Sequence, residues 1–575
     1  MLLDAPYASP PAIISVQPLG QRGVPGMPGG VTWPSRDAAA ADTIPPALTA
    51  IRTQGYHFAG DGGDATYIRI APPTTPAPYQ FQSQGGTWWE LAEKRPNVAQ
   101  FGALGTGAAE TGALQNAINF ARDRATALYW GAQTYVSGPL TIYTKGVWRG
   151  EGRTRTVLQL AAGTNATLVQ GEQFAALTGT DSTAGANNVD MRDMSLDGNR
   201  ANNTAGNCLS IYGDAPLLER LWIYNAPMDG LHTEWGSQGG GERGMEASFH
   251  MIKIDQCGRH NWNFRGPHDS QVVDVICISA SLNGQGVGDN LHVEGLVNAR
   301  FTQVHCWQRG NAPRSQYAIY VGGYGGNTFD GCHFEGALIP VLLATGGNQF
   351  SPSCRYYAAA GGTTVMLAGV VTENIIYGFL GDKCFTTSPE VIGVRFRSQD
   401  GDYYTNNVID LVSHVQNAGQ VDYGSKSAGN NSIRIRGYAA SGPVWMGSPH
   451  SGDIAVRDIR VTGAVTDPNS TSHSSRIAAT VTFDGTSGQI LFSSNVTGVT
   501  KRGVGTWRLT FAENVIAGAK CLLSCAAGPG PGVNVASVPY GNDAQTQDIQ
   551  IFNTSTQTLN DGSAWIEVVM IAPVQ

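Results

Sequence analysis

The chain has 575 residues, of which 14% are charged, 74 are Gly and 29 are Pro, with a formal net charge of −8. That length exceeds one ordinary hydrophobic core, so several domains or a repetitive fold are expected. The turn-dense, weakly acidic composition excludes a disordered chain and, with no basic stripe, argues against a nucleic-acid partner.

Residues 1–30 are rich in Pro and Gly and cannot bury a core alone. They read as a floppy leader or as an arm ordered by a partner. Met1-Leu2-Leu3-Asp4 lacks the basic start and apolar run of a signal peptide, so export by that route is not expected. No stretch approaches the ~18 consecutive apolar residues of a spanning helix, so no membrane insertion is expected. Residues 31–95 read as a small neck module. It has a short helix within 35–51, interrupted by Pro45-Pro46, a strand over 65–69 and a closing Trp88-Trp89-Glu90-Leu91.

Residues 96–465 are expected to form a coil of strands. Thr111 reads as the N-cap of a helix over 111–125, with Leu114, Ile118 and Ala121 on one face. Laid across the end of the coil, that helix would cover open strand edges. The rows Asp229-Gly230-Leu231-His232-Thr233-Glu234, His260-Asn261-Trp262-Asn263-Phe264-Arg265, Asp289-Asn290-Leu291-His292-Val293-Glu294 and Ala318-Ile319-Tyr320-Val321 then align, each alternating with period two. Thr233, Phe264, Val293 and Val321 fall 31, 29 and 28 residues apart. A second column, Leu196, Ile223, Ile254, Ile278, Cys306 and Phe334, steps by 27, 31, 24, 28 and 28. Such a period marks a solenoid. Strand alternation broken by Gly, Asn and Asp selects a parallel β-helix with two strand columns per turn over a large β-sandwich.

The pattern loosens over 351–455, and a polar cluster at 466–475 reads as a linker. Alternating strands near 478–483, 503–511 and 564–571 suit a β-sandwich spanning 466–575. The expected fold class is all-β: a right-handed parallel β-helix with a small N-terminal module and a C-terminal β-sandwich. There are nine Cys, an odd count. Cys277 and Cys306 read as small core residues of a reduced protein. No paired C-x-x-C pattern is present, and neither a metal site nor a cofactor is expected.

Neighbouring rungs of a β-helix lie ~4.8 Å apart. In register, Glu234, Arg265 and Glu294 stack on one outward face, with the two Glu backbones roughly 9–10 Å apart by the same spacing. Carboxylates ~6.5–9.5 Å apart suit an inverting glycosidase, one protonated as acid and one activating water. Arg265 would keep a carboxylate ionised or grip an acidic sugar. His292 joins these as a catalytic candidate, and His232 and Tyr320 as substrate-binding ones. In the second outward column Trp222, His305, Trp307 and Glu335 suit sugar recognition, because a ring can stack on a pyranose face. The plainer readings are a charge ladder on a solvated sheet and rings buried under loops or at a subunit interface. Glu242, Arg243 and Glu246, in the insertion 236–246, would either reach over this groove or form a solvated turn. No Ser-His-Asp constellation and no Gly-x-Ser-x-Gly is present, so acyl transfer is not suggested.

Phe101-Gly102-Ala103, Ala113-Leu114-Gln115-Asn116-Ala117-Ile118, Ser137-Gly138-Pro139-Leu140 and Trp148-Arg149-Gly150-Glu151-Gly152 resemble the opening rung of pectate-lyase-like β-helices, as found in bacteriophage tailspikes. Asp197-Gly198-Asn199-Arg200 is similar to a turn frequent in that family. The motifs cover residues 98–152, and the rung pattern carries the resemblance to residue 350. The chain departs from the family at Ala108-Ala109-Glu110, where an acidic pair is usual, which puts the helix cap in doubt more than the chemistry. The resemblance implies a homotrimer that binds and cuts a bacterial surface polysaccharide, capsule or O-antigen. It implies an N-terminal arm on a phage tail or baseplate protein, a trimerising C-terminal sandwich, and residence in the virion after assembly in the host cytoplasm. Hydrolysis by Glu234 and Glu294 is the expected chemistry. The rivals are β-elimination with His292 or Tyr320 as base and Arg265 as the neutralising cation, a non-catalytic receptor-binding fibre, and a free bacterial polysaccharide lyase.

Overall fold

The computed structural model describes residues 31–180, 182–235, 246–295, 298–310 and 313–357, then 363–368, 370–380, 392–396, 403–413, 428–429, 432–437 and the C-terminal strands given below. The arm over 1–30, Glu242, Arg243 and most of the 466–475 linker lie outside these residues. The chain divides into two compact units, Met1–Leu104 and Gly105–Gln575.

In the first unit a five-stranded sheet runs in the order Thr32–Trp33, Ala50–Thr53, Ala65–Ile70, Trp88–Leu91, Gln80–Gln82. Tyr67 and Trp89 are buried in it. The helix Arg36–Ala40 starts where the Ser35 hydroxyl accepts from Ala38 N at 3.1 Å.

The second unit opens with the helix Thr111–Asp123, which buries Leu114, Ala117, Ile118, Phe120 and Ala121. Thr111 is not its N-cap. Glu110 holds that position without a side-chain cap, and the Thr111 hydroxyl instead accepts from Gly138 N at 2.6 Å. The carboxamide of Gln115 accepts from Thr141 N at 2.8 Å and donates to Thr141 O at 3.3 Å. It thus stands in for the missing next strand at the edge of the first rung.

From there parallel strands stack rung upon rung. Each full turn has three strands, not the expected two: for example Asp190–Arg192, Ser195–Asp197 and Leu209–Tyr212, followed by Leu217–Glu219, Trp222–Tyr224 and Leu231–Glu234. Three parallel sheets result, called first, second and third in chain order within a turn. In the first sheet Met191, Leu218, Phe249, Val272, Phe301, Phe329 and Phe350 stack in register and are buried. Phe329 lies flat against both Phe301 and Phe350, at centroid distances of 4.8 and 4.3 Å. The corner between first and second sheets is two residues long. Asp193, Arg220, Met251, Asp274, Gln303 and Gly331 adopt positive φ there, each followed by a buried residue: Met194, Leu221, Ile252, Val275, Val304 or Cys332.

The second sheet stacks Leu196, Ile223, Ile254, Cys277, Cys306 and Phe334. Cys277, not Ile278, occupies the inward position. Ile278 pairs with Asp255 on the opposite face, one residue out of phase with the core. The described cysteines, Cys208, Cys257, Cys277, Cys306, Cys332 and Cys354, are all buried and unpaired.

Beyond the third sheet the turns are held from inside by a ladder of buried Asn carboxamides. Asn327 donates to Asn348, Asn348 to Asn374 and Asn374 to Asn407, at 3.0, 3.0 and 2.9 Å. Each acceptor oxygen also takes the backbone N–H of the Asn one rung before. After strands Ile375–Leu380, Val408–Ser413 and Ser432–Gly437, the chain forms two five-stranded antiparallel sheets. One contains Ser474–Phe483, Ile490–Ser494, Leu522–Ala527 and Ile566–Pro573. The other contains Val496–Gly503, Thr506–Phe511, Val533–Ser537 and Thr546–Asn553.

Asn348→Ala would orphan buried groups on both neighbouring rungs, each worth about 1–3 kcal/mol. Equilibrium denaturation should therefore show a loss of at least ~2 kcal/mol. A loss near zero would mean that the ladder does not hold the turns.

Candidate active site

On the third sheet, inward alternation buries Leu231 and Thr233, Trp262 and Phe264, Leu291 and Val293, and Ile319 and Val321. The same alternation turns His232 and Glu234, Asn263 and Arg265, His292 and Glu294, and Tyr320 outward. The pairing is Glu234↔Arg265 and His232↔Asn263↔His292↔Tyr320, the register expected from the rows.

Glu234 faces outward yet is only 3% exposed. The helix Phe174–Leu177 and the residues after it lie over it. Phe174 packs with Tyr212 and Trp235, and this seats Thr178 and Gly179 on the carboxylate. Thr178 Oγ1 donates to Oε2 at 2.7 Å, Gly179 N donates to Oε1, and His232 Nε2 lies 3.2 Å from Oε2. Burial would raise the pKa of Glu234, but the bonds from His232, Gly179 and Thr178 outweigh it and bring it down to about 2.

Arg265 spans the two carboxylates, with Nε 4.0 Å from Glu234 and a terminal nitrogen 3.7 Å from Glu294. Glu294 has a 39% exposed side chain. Its pKa is lowered, first by the hydrogen bond from His292 and then, against burial, by the charges of His292 and Arg265. Both carboxylates are thus held in the ionised form. The expectation that one of them stays protonated as the acid does not fit this geometry.

His292 shifts the opposite way. Its Nδ1 is 2.7 Å from Asp289 Oδ2 and its Nε2 is 3.4 Å from Glu294 Oε2. Burial pushes the imidazole down, but these two carboxylates raise its pKa to about 9. Tyr320 stacks on the ring at 4.5 Å with 5° between planes. His260 packs on its other side at 4.5 Å and behaves oppositely, since burial lowers it to about 4. Its Nδ1 accepts from Asp289 N at 2.9 Å, which places the proton of the neutral ring on Nε2. His260, Asp289 and His292 hold ligand-type atoms within 4.8 Å of one another. Nδ1 of His260 is engaged by backbone and His292 bridges Asp289 and Glu294, so these groups are joined by hydrogen bonds.

The structure therefore gathers His232, Glu234, Arg265, His292, Glu294 and Tyr320 on one sheet. It leaves Trp222, His305, Trp307 and Glu335 on the second sheet. There Lys253 lies over the Trp222 ring at 4.5 Å, His305 pairs with Glu335 at 2.7 Å, and Arg309 sits 5.9 Å above Trp307 while binding Asp255. Asp289, His260, Thr178 and Gly179 were not singled out by the sequence. For Asp289 a signal existed: Asp229-Gly-Leu-His232-Thr-Glu234 and Asp289-Asn-Leu-His292-Val-Glu294 share one pattern two rungs apart. For Thr178 the only cue was the long connection between strands Val169–Gly171 and Asp190–Arg192.

No protein-family model matches the chain, and no curated protein matches it. Among solved structures it is similar to the tailspike protein gp49 from Acinetobacter baumannii bacteriophage Fri1, a capsular polysaccharide depolymerase. That match has 11% identity over 95% of this chain and 98% of the other, with a TM-score of 0.48. It is also similar to tailspike protein 2 from Escherichia coli O157:H7 bacteriophage CAB120, at 10% identity over 95% and 72%, TM-score 0.42. A third similarity is to the A-module of the Azotobacter vinelandii mannuronan C-5 epimerase AlgE6, at 16% identity over 65% and 100%, TM-score 0.38.

Two pH limbs follow. The stability from Glu234 is complete above its ordinary 4.5 and is lost as pH falls toward 2. That from His292 is complete below its ordinary 6.5 and is lost as pH rises through about 9. Melting temperature against pH should lose its acid limb in Glu234→Gln and its alkaline limb in His292→Gln. At neutral pH Glu234→Gln should also cost about 1–3 kcal/mol, because the amide group must face a donor.

Proposed function

We propose that the protein is a phage tailspike that binds a bacterial surface polysaccharide, capsule or O-antigen, and cleaves it by glycosidic hydrolysis. The observation that carries this reading is the pair Glu294 and His292. They stand two residues apart on one face of a strand, with the pKa of Glu294 lowered and that of His292 raised. Opposed proton preferences in adjacent groups are the pattern of an acid and a base. Their reacting atoms, His292 Nε2 and Glu294 Oε2, lie 3.4 Å apart in this structure, and hydrolysis requires sugar and water to part them.

In this mechanism Glu294 accepts a proton from water as its oxygen attacks the anomeric carbon. His292 gives its Nε2 proton to the departing glycosidic oxygen, and Asp289 stabilises the imidazolium and fixes its orientation. Glu234, shut away and ionised, holds Arg265 in place and is a positioning residue. β-Elimination is supported less well. It needs an unprotonated base and a cation free for a uronate, whereas His292 carries its proton and Arg265 lies between two carboxylates.

The same reading takes the protein as a homotrimer through its C-terminal sandwich. It is joined to a phage tail or baseplate protein by the arm over 1–30, and resides in the virion after assembly in the host cytoplasm.

The test is product analysis, by mass spectrometry with ultraviolet absorbance, on a panel of purified capsules and lipopolysaccharides. Saturated oligosaccharides are expected, with Glu294→Gln and His292→Gln each slowed about 10²–10⁴-fold. Activity should fall on the alkaline side near about 9 as His292 loses its proton. On the acid side it should fall only below the ordinary carboxylate range. Unsaturated ends would replace hydrolysis by elimination, and intact polymer that remains bound would leave a receptor-binding fibre.

A further inference from the structure

Just past the catalytic strands the chain makes the turns pinned by the Asn ladder. Their outer surface is a shallow groove lined by Gly323, Tyr324, Gly326, Thr345, Val370 and Glu373, among others. Tyr324 is 67% exposed and Val370 60%. A single exposed apolar residue means little. Here two of them flank a lining that is rich in glycine, Gly323, Gly326, Gly346 and Gly347. A Cβ on Gly323 would meet the backbone of Gly295, one on Gly325 the carbonyl of Gly346, and one on Gly346 the carbonyl of Thr372. Close backbone packing thus requires these glycines, and the exposed Tyr324 lines the same groove. The groove is also continuous with the site. Tyr324 N donates to Gly295 O at 3.1 Å, and Gly295 directly follows Glu294.

We propose that this groove is a subsite for one uncharged pyranose of the substrate chain. Tyr324 stacks on the apolar C–H face of the sugar, and the Glu373 carboxylate accepts hydrogen bonds from its hydroxyl or acetamido groups. The proposal rests on the polysaccharide reading above and adds to it a position and a sugar class. The π face of an aromatic ring is negative and attracts the weakly positive C–H edge of a pyranose. Among the described residues Glu373 is the only charged one lining the groove, so a uronate there would face its like charge. Because the buried Asn ladder fixes the turns, little ordering opposes binding.

The test uses the full chain and saturation-transfer NMR with three probes: methyl glucoside, methyl N-acetylglucosaminide and methyl glucuronide. Ring C–H signals are expected from the first two. Their dissociation constants should rise roughly three- to tenfold in Tyr324→Ala and stay unchanged in Tyr324→Phe. The glucuronide should bind worse than the glucoside, and Glu373→Gln should narrow that gap. Equal binding by wild type and Tyr324→Ala, equal binding of glucuronide and glucoside, or no signal from any probe would each overturn the proposal. Failure of the enzyme reading looks different. If no polymer is shortened but the glucoside still depends on Tyr324, the subsite stands on a binding protein. If polymer is cleaved with the same KM by wild type and Tyr324→Ala, the enzyme reading stands and the subsite falls.

Discussion

Parallel pairing at one rung per turn is the constraint on which the rest of this molecule depends. It places residues some 30 positions apart in the chain side by side, ~4.8 Å from each other. The pairing Leu231↔Trp262↔Leu291↔Ile319 sets an apolar stack, and by the same act it sets Glu234 beside Arg265 and His292 beside Tyr320. A slip of one residue would exchange the two faces everywhere. Core packing and site geometry are therefore one fact. The buried Asn ladder adds directional bonds where apolar contact alone would tolerate sliding, since each carboxamide meets a backbone N–H and another carboxamide at fixed positions.

What could be read from the sequence follows the same logic. The third sheet was legible because its strands alternate cleanly and end in Gly, Asn or Asp. The first sheet was not, although its column from Met191 to Phe350 is as apolar as any. It is joined to the second sheet by a two-residue corner whose left-handed position is filled by Asp193, Arg220, Met251, Asp274 and Gln303. Only Gly331 is a glycine, and Arg220, Met251 and Gln303 carry no turn signal, so two strands read as one. Ile278 was taken as core because it is the bulkier neighbour of Cys277, yet register follows phase and not size. The cover on Glu234 was hidden for another reason. Thr178 and Gly179 precede it by 56 and 55 residues and reach it through a connection outside the repeat.

The two Asp-x-Leu-His-x-Glu rows show why a motif alone does not locate chemistry. In the first row Arg259 takes Asp229 in a two-pronged ion pair at 2.7 and 2.6 Å. Thr178, Gly179 and His232 saturate Glu234. Every charge there is matched and covered, which suits a rigid support. In the second row Asp289 is engaged with His292, and Glu294 remains open to solvent on one side. The same side chains in the same order thus form a covered brace in one rung and a partly exposed ion pair two rungs later. Arg265, in the rung between, connects the two.

That division of labour lets three carboxylates lie near one another with a cation beside each. Asp289 and Glu294 share the His292 cation, Glu234 and Glu294 share Arg265, and each shared cation offsets like-charge repulsion across neighbouring strands. The arrangement holds only if His292 stays charged, and it does so because two acids bracket it. A scaffold whose parts are locked by register holds these charges in place before any ligand arrives.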